Sequence, residues 1–212
     1  MAITAQAVKE LREATGAGPL DCKRALEENG GDIQKAIDWL REKGLGKAAK
    51  KLGAGRAMNE GRVEVYSHFN SRLAAIVEVN CETDFVAATD AFKNFSSDVA
   101  KHIASMGPKY LTREEVPQAD VDRERDVQMR ILKEDPKNAG KSDEILEKII
   151  EGRMSKFFSD FVLMEQVFFK DDKKTIADLL QETVAEIGES VQISRFARFA
   201  LGEGANDESD DE

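Results

Sequence analysis

The spacing of apolar residues changes period once, near residue 56, and that change limits the folds open to the chain. Before it, apolar residues recur three and four apart: Ala7, Val8, Leu11 and Ala14; then Cys22, Ala25 and Leu26; then Ile33, Ala36, Ile37 and Leu40. That is the stripe of an amphipathic helix. After it, residues 62–69 and 72–82 are rich in β-branched and small apolar residues and are parted by Asn70-Ser71, the pattern of a hairpin. A chain of this kind has to join a helical module to something containing a sheet.

Punctuation sets the boundaries. Thr4 can cap the first helix and Gly16 end it. Gly18-Pro19 opens the second, since proline at the first helical position loses an N–H that has no partner there anyway. Gly30-Gly31 stops it, Asp32 caps the third, and Gly44 is expected to end that one. Residues 46–56 then read as a basic, glycine-punctuated linker. Beyond the hairpin, a helix is expected from Asp90, with Phe92, Phe95, Val99 and Ile103 on one face, up to Gly107-Pro108. Thr112 to Glu115 has the form of a capping box. Residues 118–141 make a charged helix and turn with little apolar face, expected at the periphery. Residues 142–166 are helical. A last helix starts at Thr175 and stops at Gly188, and residues 191–201 form a final strand. The fold class is α+β: an N-terminal three-helix module, then a core of a small antiparallel sheet with helices packed on it. The expected divisions are 1–45 for the module, 46–56 for the linker, 57–202 for the core and 203–212 for an acidic tail.

Charge bears on the partners. The formal net charge is −10, and the last ten residues hold six acids and no base. A body of that sign opposes broad binding to nucleic acid, where neutralising phosphates dominates affinity. No apolar run reaches the roughly 18 residues of a membrane span, and the start lacks the pattern of a secretory signal. Two distant cysteines suit a reducing cytoplasm and are too few for a disulfide framework.

Catalytic patterns are missing. Gly44-Leu45-Gly46-Lys47 has neither the spacing nor the Ser/Thr of a phosphate-binding loop. His68 and His102 have no nucleophile or metal ligand nearby in sequence, and neither Cys22 nor Cys81 sits among cations that would favour a thiolate. The informative stretch is Glu82 to Ala88, where a strand gives way to helix. Thr83, Asp84, Phe85 and Val86 can be read in two ways there. In one, Thr83 caps, Asp84 favours the helix N-terminus and Phe85 packs inward. In the other, Asp84 and Phe85 are presented to a partner from a rigid base.

The stretches TGAGPLDCKRALEENGGDIQKAIDWLREKG, EVNCETDFVA, EKIIEGRMSKFF, LMEQVFF and EIGESVQISRFARF, in this order, closely resemble the elongation factor Ts family over about residues 4–203. The resemblance implies a ubiquitin-associated-like three-helix module and a core that dislodges GDP from elongation factor Tu by binding it. That is guanine-nucleotide exchange in translation, with no covalent chemistry, cofactor or metal of its own. Carried onto this sequence, Leu11, Gly18, Pro19 and Leu20 would touch the nucleotide-binding domain of the partner. Thr83, Asp84, Phe85 and Val86 would form the tip that disturbs its magnesium site. Pro19-Leu20 stands where many members have two methionines, and Gln166-Val167-Phe168 where many have Gln-Pro-Phe. Longer members duplicate the core and insert a helical hairpin, whereas this chain holds about one copy. Two chains are therefore expected to pair through the apolar C-terminal half, including Phe157, Phe161, Phe196 and Phe199. Other classes weighed are ubiquitin binding by the module alone, RNA binding through Lys47, Lys50, Lys51 and Arg56, and an enzyme with a cryptic site.

Overall fold

The computed structural model describes residues 3–15, 17–52, 57–138 and 141–203. Among them are eight α-helices and three strands: α1 (Ala5–Thr15), α2 (Pro19–Glu28), α3 (Ile33–Leu52), β1 (Glu60–Ser67), β2 (Leu73–Cys81), α4 (Asp84–Ala87), α5 (Asp90–Met106), α6 (Gln118–Glu134), α7 (Asp143–Phe161), α8 (Ile176–Ile187) and β3 (Val191–Ala200). The strands form one antiparallel sheet in the order β1-β2-β3, and the class is α+β as the sequence implies. The chain divides into two compact units: Met1–Gly61 with Asn80–Phe95 and Leu180–Gln192, and Arg62–Val79 with Ser96–Leu179 and Ile193–Glu212. The expected stop at Gly16, linker residues 53–56 and the tail from 204 lie outside the described residues.

In the first unit the anticipated caps form. The Ala7 amide donates to Thr4 Oγ1 at 3.2 Å, and the Lys35 amide to Asp32 Oδ1 at 3.1 Å. Helices α1 to α3 share a core of Leu11, Cys22, Ala25, Leu26 and Ala36, with Ile3, Val8, Ile33, Ile37 and Leu40 packed around it. Fully burying a side chain such as Leu11 or Leu26 contributes about 1.5–3 kcal/mol. Ala14, expected inside, is exposed. The larger correction concerns α3, which runs through Gly44 to Leu52. A lone glycine costs a helix only about 1 kcal/mol, and the following Lys47-Ala48-Ala49-Lys50 favours helix. A Cβ at Gly44 would lie 3.5 Å from that of Ala185, so α3 passes close to α8. Arg41 Nη2 donates to Glu182 Oε1 at 2.8 Å along the same pair of helices.

In the second unit the hairpin register follows from one bond, His68 N–H to Leu73 O at 2.9 Å, which sets Val65 opposite Ile76. Leu201 N–H to Arg72 O, also 2.9 Å, fixes the other edge and sets Arg195 opposite Glu78. Arg195 Nε accordingly meets Glu78 Oε2 at 2.7 Å. Strand side chains alternate between faces. Ala75, Val77 and Val79 are therefore buried on one side while Val63, Val65, Ile76 and Phe199 are exposed on the other.

Helix α6 is charged and largely exposed as expected, with Leu132 its one buried residue. It pairs with α7 around a core of its own: Leu132, Leu146, Ile150 and Met154, joined by Val121, Met129, Phe157 and Phe158. The capping box at Thr112 is replaced. Residues Arg113–Glu115 make only a 3₁₀ turn without a side-chain cap, and Glu115 accepts from the Leu111 amide at 2.9 Å. The Val167 departure leaves its turn closed. Phe168 N–H donates to Lys174 O at 2.8 Å and Ile176 N–H to Gln166 O at 3.0 Å, on either side of Val167.

Candidate partner-binding surface

Strand β2 ends in Val79 and Cys81, both fully buried, so the chain leaves the sheet from a fixed base. Thr83 remains extended (φ −134°, ψ 153°), and its hydroxyl accepts the Val86 amide at 3.4 Å as the N-cap of the single-turn helix α4. Asp84 Oδ1 accepts the amide of Phe85 at 2.9 Å. Val86 is buried beneath this turn, while the Phe85 ring is 82% exposed. Thr83 therefore caps and Asp84 favours the helix start as in the first of the two readings, whereas Phe85 does not pack inward. An apolar ring of this size left in water at the apex of a capped turn has no packing role.

The corner is tied from a distant part of the first unit. Thr83 Oγ1 donates to the Glu189 carboxylate, 3.1 Å from Oε1 and 3.0 Å from Oε2. The Ser190 amide donates to Glu82 Oε1 at 2.9 Å. The next helix follows at once: Thr89 Oγ1 donates to Val86 O at 2.8 Å and accepts from the Phe92 amide at 3.3 Å. Sequence reasoning missed Glu189. It lies 106 residues from Thr83, and no local spacing announces the pair.

The module turn is a separate feature. Gly18, Pro19 and Leu20 are exposed, with Leu20 at 84%, and the Gly18 carbonyl accepts the Cys22 amide at 2.9 Å to start α2. Leu11 has no exposed surface. It packs inside the three-helix core and has no surface open in this structure for the contact expected of it.

Among the described residues, Cys81 and His102 are shifted by burial. Burial pushes the Cys81 thiol up, reinforced by the carboxylates of Glu189 and Glu60 and opposed by the backbone around Thr83 and Ala87. Its Sγ donates to Thr83 O at 3.1 Å. Cys22 Sγ likewise donates to a carbonyl, that of Ala17, at 3.5 Å. Burial lowers the pKa of His102, and its partners are an amide side chain and a backbone N–H. Among the described residues there is no group of three or more His, Cys, Asp or Glu side chains placed to hold a metal, and no helix is long and apolar enough to cross a membrane.

The family model described as elongation factor TS matches residues 11–203. The chain belongs to the elongation factor Ts family. Relatives of that name share about half their residues with it from end to end. The protein from Thermoanaerobacter sp. (strain X514) is 53% identical over 209 residues, covering 99% of this chain and 100% of the relative. That from Carboxydothermus hydrogenoformans is 53% identical over 209 residues, covering 99% and 94%. The Geotalea daltonii protein is 52% identical over 211 residues, covering 100% and 95%. These elongation factor Ts relatives are thus of nearly the same length as this chain.

Proposed function

We propose that the chain is a guanine-nucleotide exchange factor for elongation factor Tu in translation, acting by binding alone. Membership of the elongation factor Ts family names the partner. The observation that supports the mechanism is the exposed Phe85 ring standing beside Asp84 on a capped and tied corner. Phe85 wedges between side chains near the bound magnesium of the partner, and Asp84 competes with groups that hold the metal. Magnesium links the nucleotide phosphates to a GTPase, so disturbing its coordination weakens the hold on GDP. The factor binds nucleotide-free elongation factor Tu more tightly than the GDP form. By reciprocity, nucleotide then expels the factor with the same free energy, and GTP in excess reloads the partner.

The Gly18–Leu20 turn adds affinity by resting, as a ubiquitin-associated-like module, on the nucleotide-binding domain of the partner. The factor works in the cytoplasm as a homodimer, without membrane or direct nucleic-acid contact, in keeping with a net charge of −10. Phe157 and Phe161 meet in a tilted pair with ring centres 5.2 Å apart, and the Lys109 ammonium covers the Phe161 ring at 4.9 Å. The open sheet face ending at Phe199 is therefore the better-supported pairing surface.

The deciding experiment follows release of a fluorescent GDP analogue from purified elongation factor Tu as the factor is titrated against excess unlabelled GDP. The chain should raise the release rate in proportion to dose. Phe85→Ala and Asp84→Ala should each lower the rate at saturation by about tenfold or more while shifting the half-saturating concentration far less, because the tip acts on the metal site and the wider surface supplies affinity. Loss of binding in step with loss of exchange would make the tip an anchor. A flat response to the unaltered chain would remove the exchange reading.

A further inference from the structure

Helix α8 stops at Gly188, whose φ of +82° turns the chain sharply, while its N–H still reaches Val184 O at 2.9 Å. An L-residue strains at that φ, so the turn is well defined. It delivers Glu189 and Ser190 alongside Glu82 and Thr83 just before β3 begins. Two carboxylates then bond in opposite directions: Glu189 accepts from the Thr83 hydroxyl at 3.0 Å and Glu82 accepts from the Ser190 amide at 2.9 Å. Ser190 and the following Val191 are buried, so this side of the clamp is anchored.

The Thr83 hydroxyl links the clamp to the tip. It has a single proton, and giving it to Glu189 leaves an oxygen lone pair to face the Val86 amide. At 3.4 Å that cap is long and weak by itself. A charge-assisted bond to the carboxylate is about twice as strong as a neutral one and keeps the hydroxyl from rotating away. Phe85, exposed in water, has no packing of its own to fix it. We infer that Glu189 is a positioning residue for nucleotide exchange: through Thr83 it sets the turn that holds Asp84 and Phe85 upright. This rests on the exchange reading above. It assigns to the segment between α8 and β3 a part in the activity.

The test uses the full-length chain with Glu189→Ala and Glu189→Gln. The alanine variant should lower GDP release at saturating factor by about fivefold, the scale of a lost helix cap, while the half-saturating concentration changes by less than about twofold. Hydrogen exchange at the Val86 amide should speed up by about tenfold, the local opening expected when its acceptor is freed. Glutamine retains an acceptor oxygen and should recover release to within about twofold of the unaltered chain. Thermal unfolding of each variant separates this effect from loss of fold. If alanine prevents folding, Glu189→Asp, whose shorter side chain withdraws the acceptor, should show the same slower release and faster amide exchange. An alanine variant that releases GDP as fast as the unaltered chain, a loss confined to half-saturation, or an unchanged Val86 amide would each overturn the inference while leaving the exchange reading standing. Failure of the unaltered chain to accelerate release would instead overturn that reading and, with it, the part given to Glu189.

Discussion

His102 is fully buried in α5, where the Phe169 amide donates to Nδ1 at 3.4 Å. The ring proton therefore sits on Nε2, 3.0 Å from Gln166 Oε1, and the Gln166 amide group in turn donates to Asp160 O at 2.8 Å. Protonating Nδ1 would break the Phe169 bond and place a charge in the interior, so burial holds the pKa below its usual value despite the opposing effect of Gln166. A folded pKa below the unfolded one, about 6.5 for histidine, gives stability that is complete above pH 6.5 and lost as pH falls from there toward the folded pKa. Thermal melts from pH 7.5 down to 5.5 should thus show a fall for the unaltered chain that is flatter in His102→Gln; parallel curves would refute this. Phe85→Ala should behave oppositely to a core change and alter stability by no more than about 0.5 kcal/mol, because an exposed ring leaves no cavity. A clear drop in melting temperature would mean that the ring packs. Thr83 and Asp84 were legible at this scale because capping acts over two or three residues. The direction of Phe85 was not: in a helix of one turn, both Phe85 and Val86 can satisfy an inward pattern. The carboxylate that decides the corner is supplied from Glu189, far along the chain.

At the scale of elements, starts were easier to read than ends. Thr4, Pro19, Asp32 and Asp90 all stand where helices begin, because a cap is a local hydrogen-bond requirement. Gly44 misled because a glycine ends a helix only when the chain needs a left-handed residue there, and here α3 continues beside α8. Gly46, two residues on, has open space where a Cβ would go. Gly46→Ala should therefore stabilise α3 by about 0.5–1 kcal/mol by removing glycine's excess backbone freedom. A higher melting temperature with unchanged exchange activity is the expected result. A lower one would mean that the helix breaks at this point in solution. The same contrast explains α6. Its charges, read alone, suggest a solvated helix, and Val121, Met129 and Leu132 become a stripe only once α7 supplies Leu146, Ile150 and Met154. Pairing of two elements is not a property of either sequence segment.

For the whole molecule, the open face of the sheet bears on pairing. The register aligns Val65, Ile76 and Ala197 in one row, with Ala74 and Phe199 beside them and the Glu78–Arg195 ion pair in the next. Val65 is 58% exposed and Phe199 68%. A three-stranded antiparallel sheet commonly buries one face and keeps the other polar; here the open face carries exposed Val63, Val65, Ile76 and Phe199 beside the Glu78–Arg195 ion pair. Open faces of this kind mark places where something docks. A second copy meets the requirement directly, since a twofold axis brings an identical face against it, and two such sheets pack about 10 Å apart with interleaved side chains. The symmetry also sharpens the test. A single Val65→Glu change enters the interface twice, burying two carboxylates that resist desolvation. Sedimentation at micromolar concentration should show the unaltered chain at twice the 23.5 kDa chain mass and Val65→Glu at the chain mass, with the same far-UV circular dichroism. A single 23.5 kDa species from the unaltered chain would dismiss pairing. A dimer that survives Val65→Glu would move it to another surface, with the Phe157 and Phe161 face of α7 next in line. If the dimer is required for exchange, Val65→Glu should also release GDP more slowly at concentrations where the unaltered factor is paired, although its tip at Phe85 is intact.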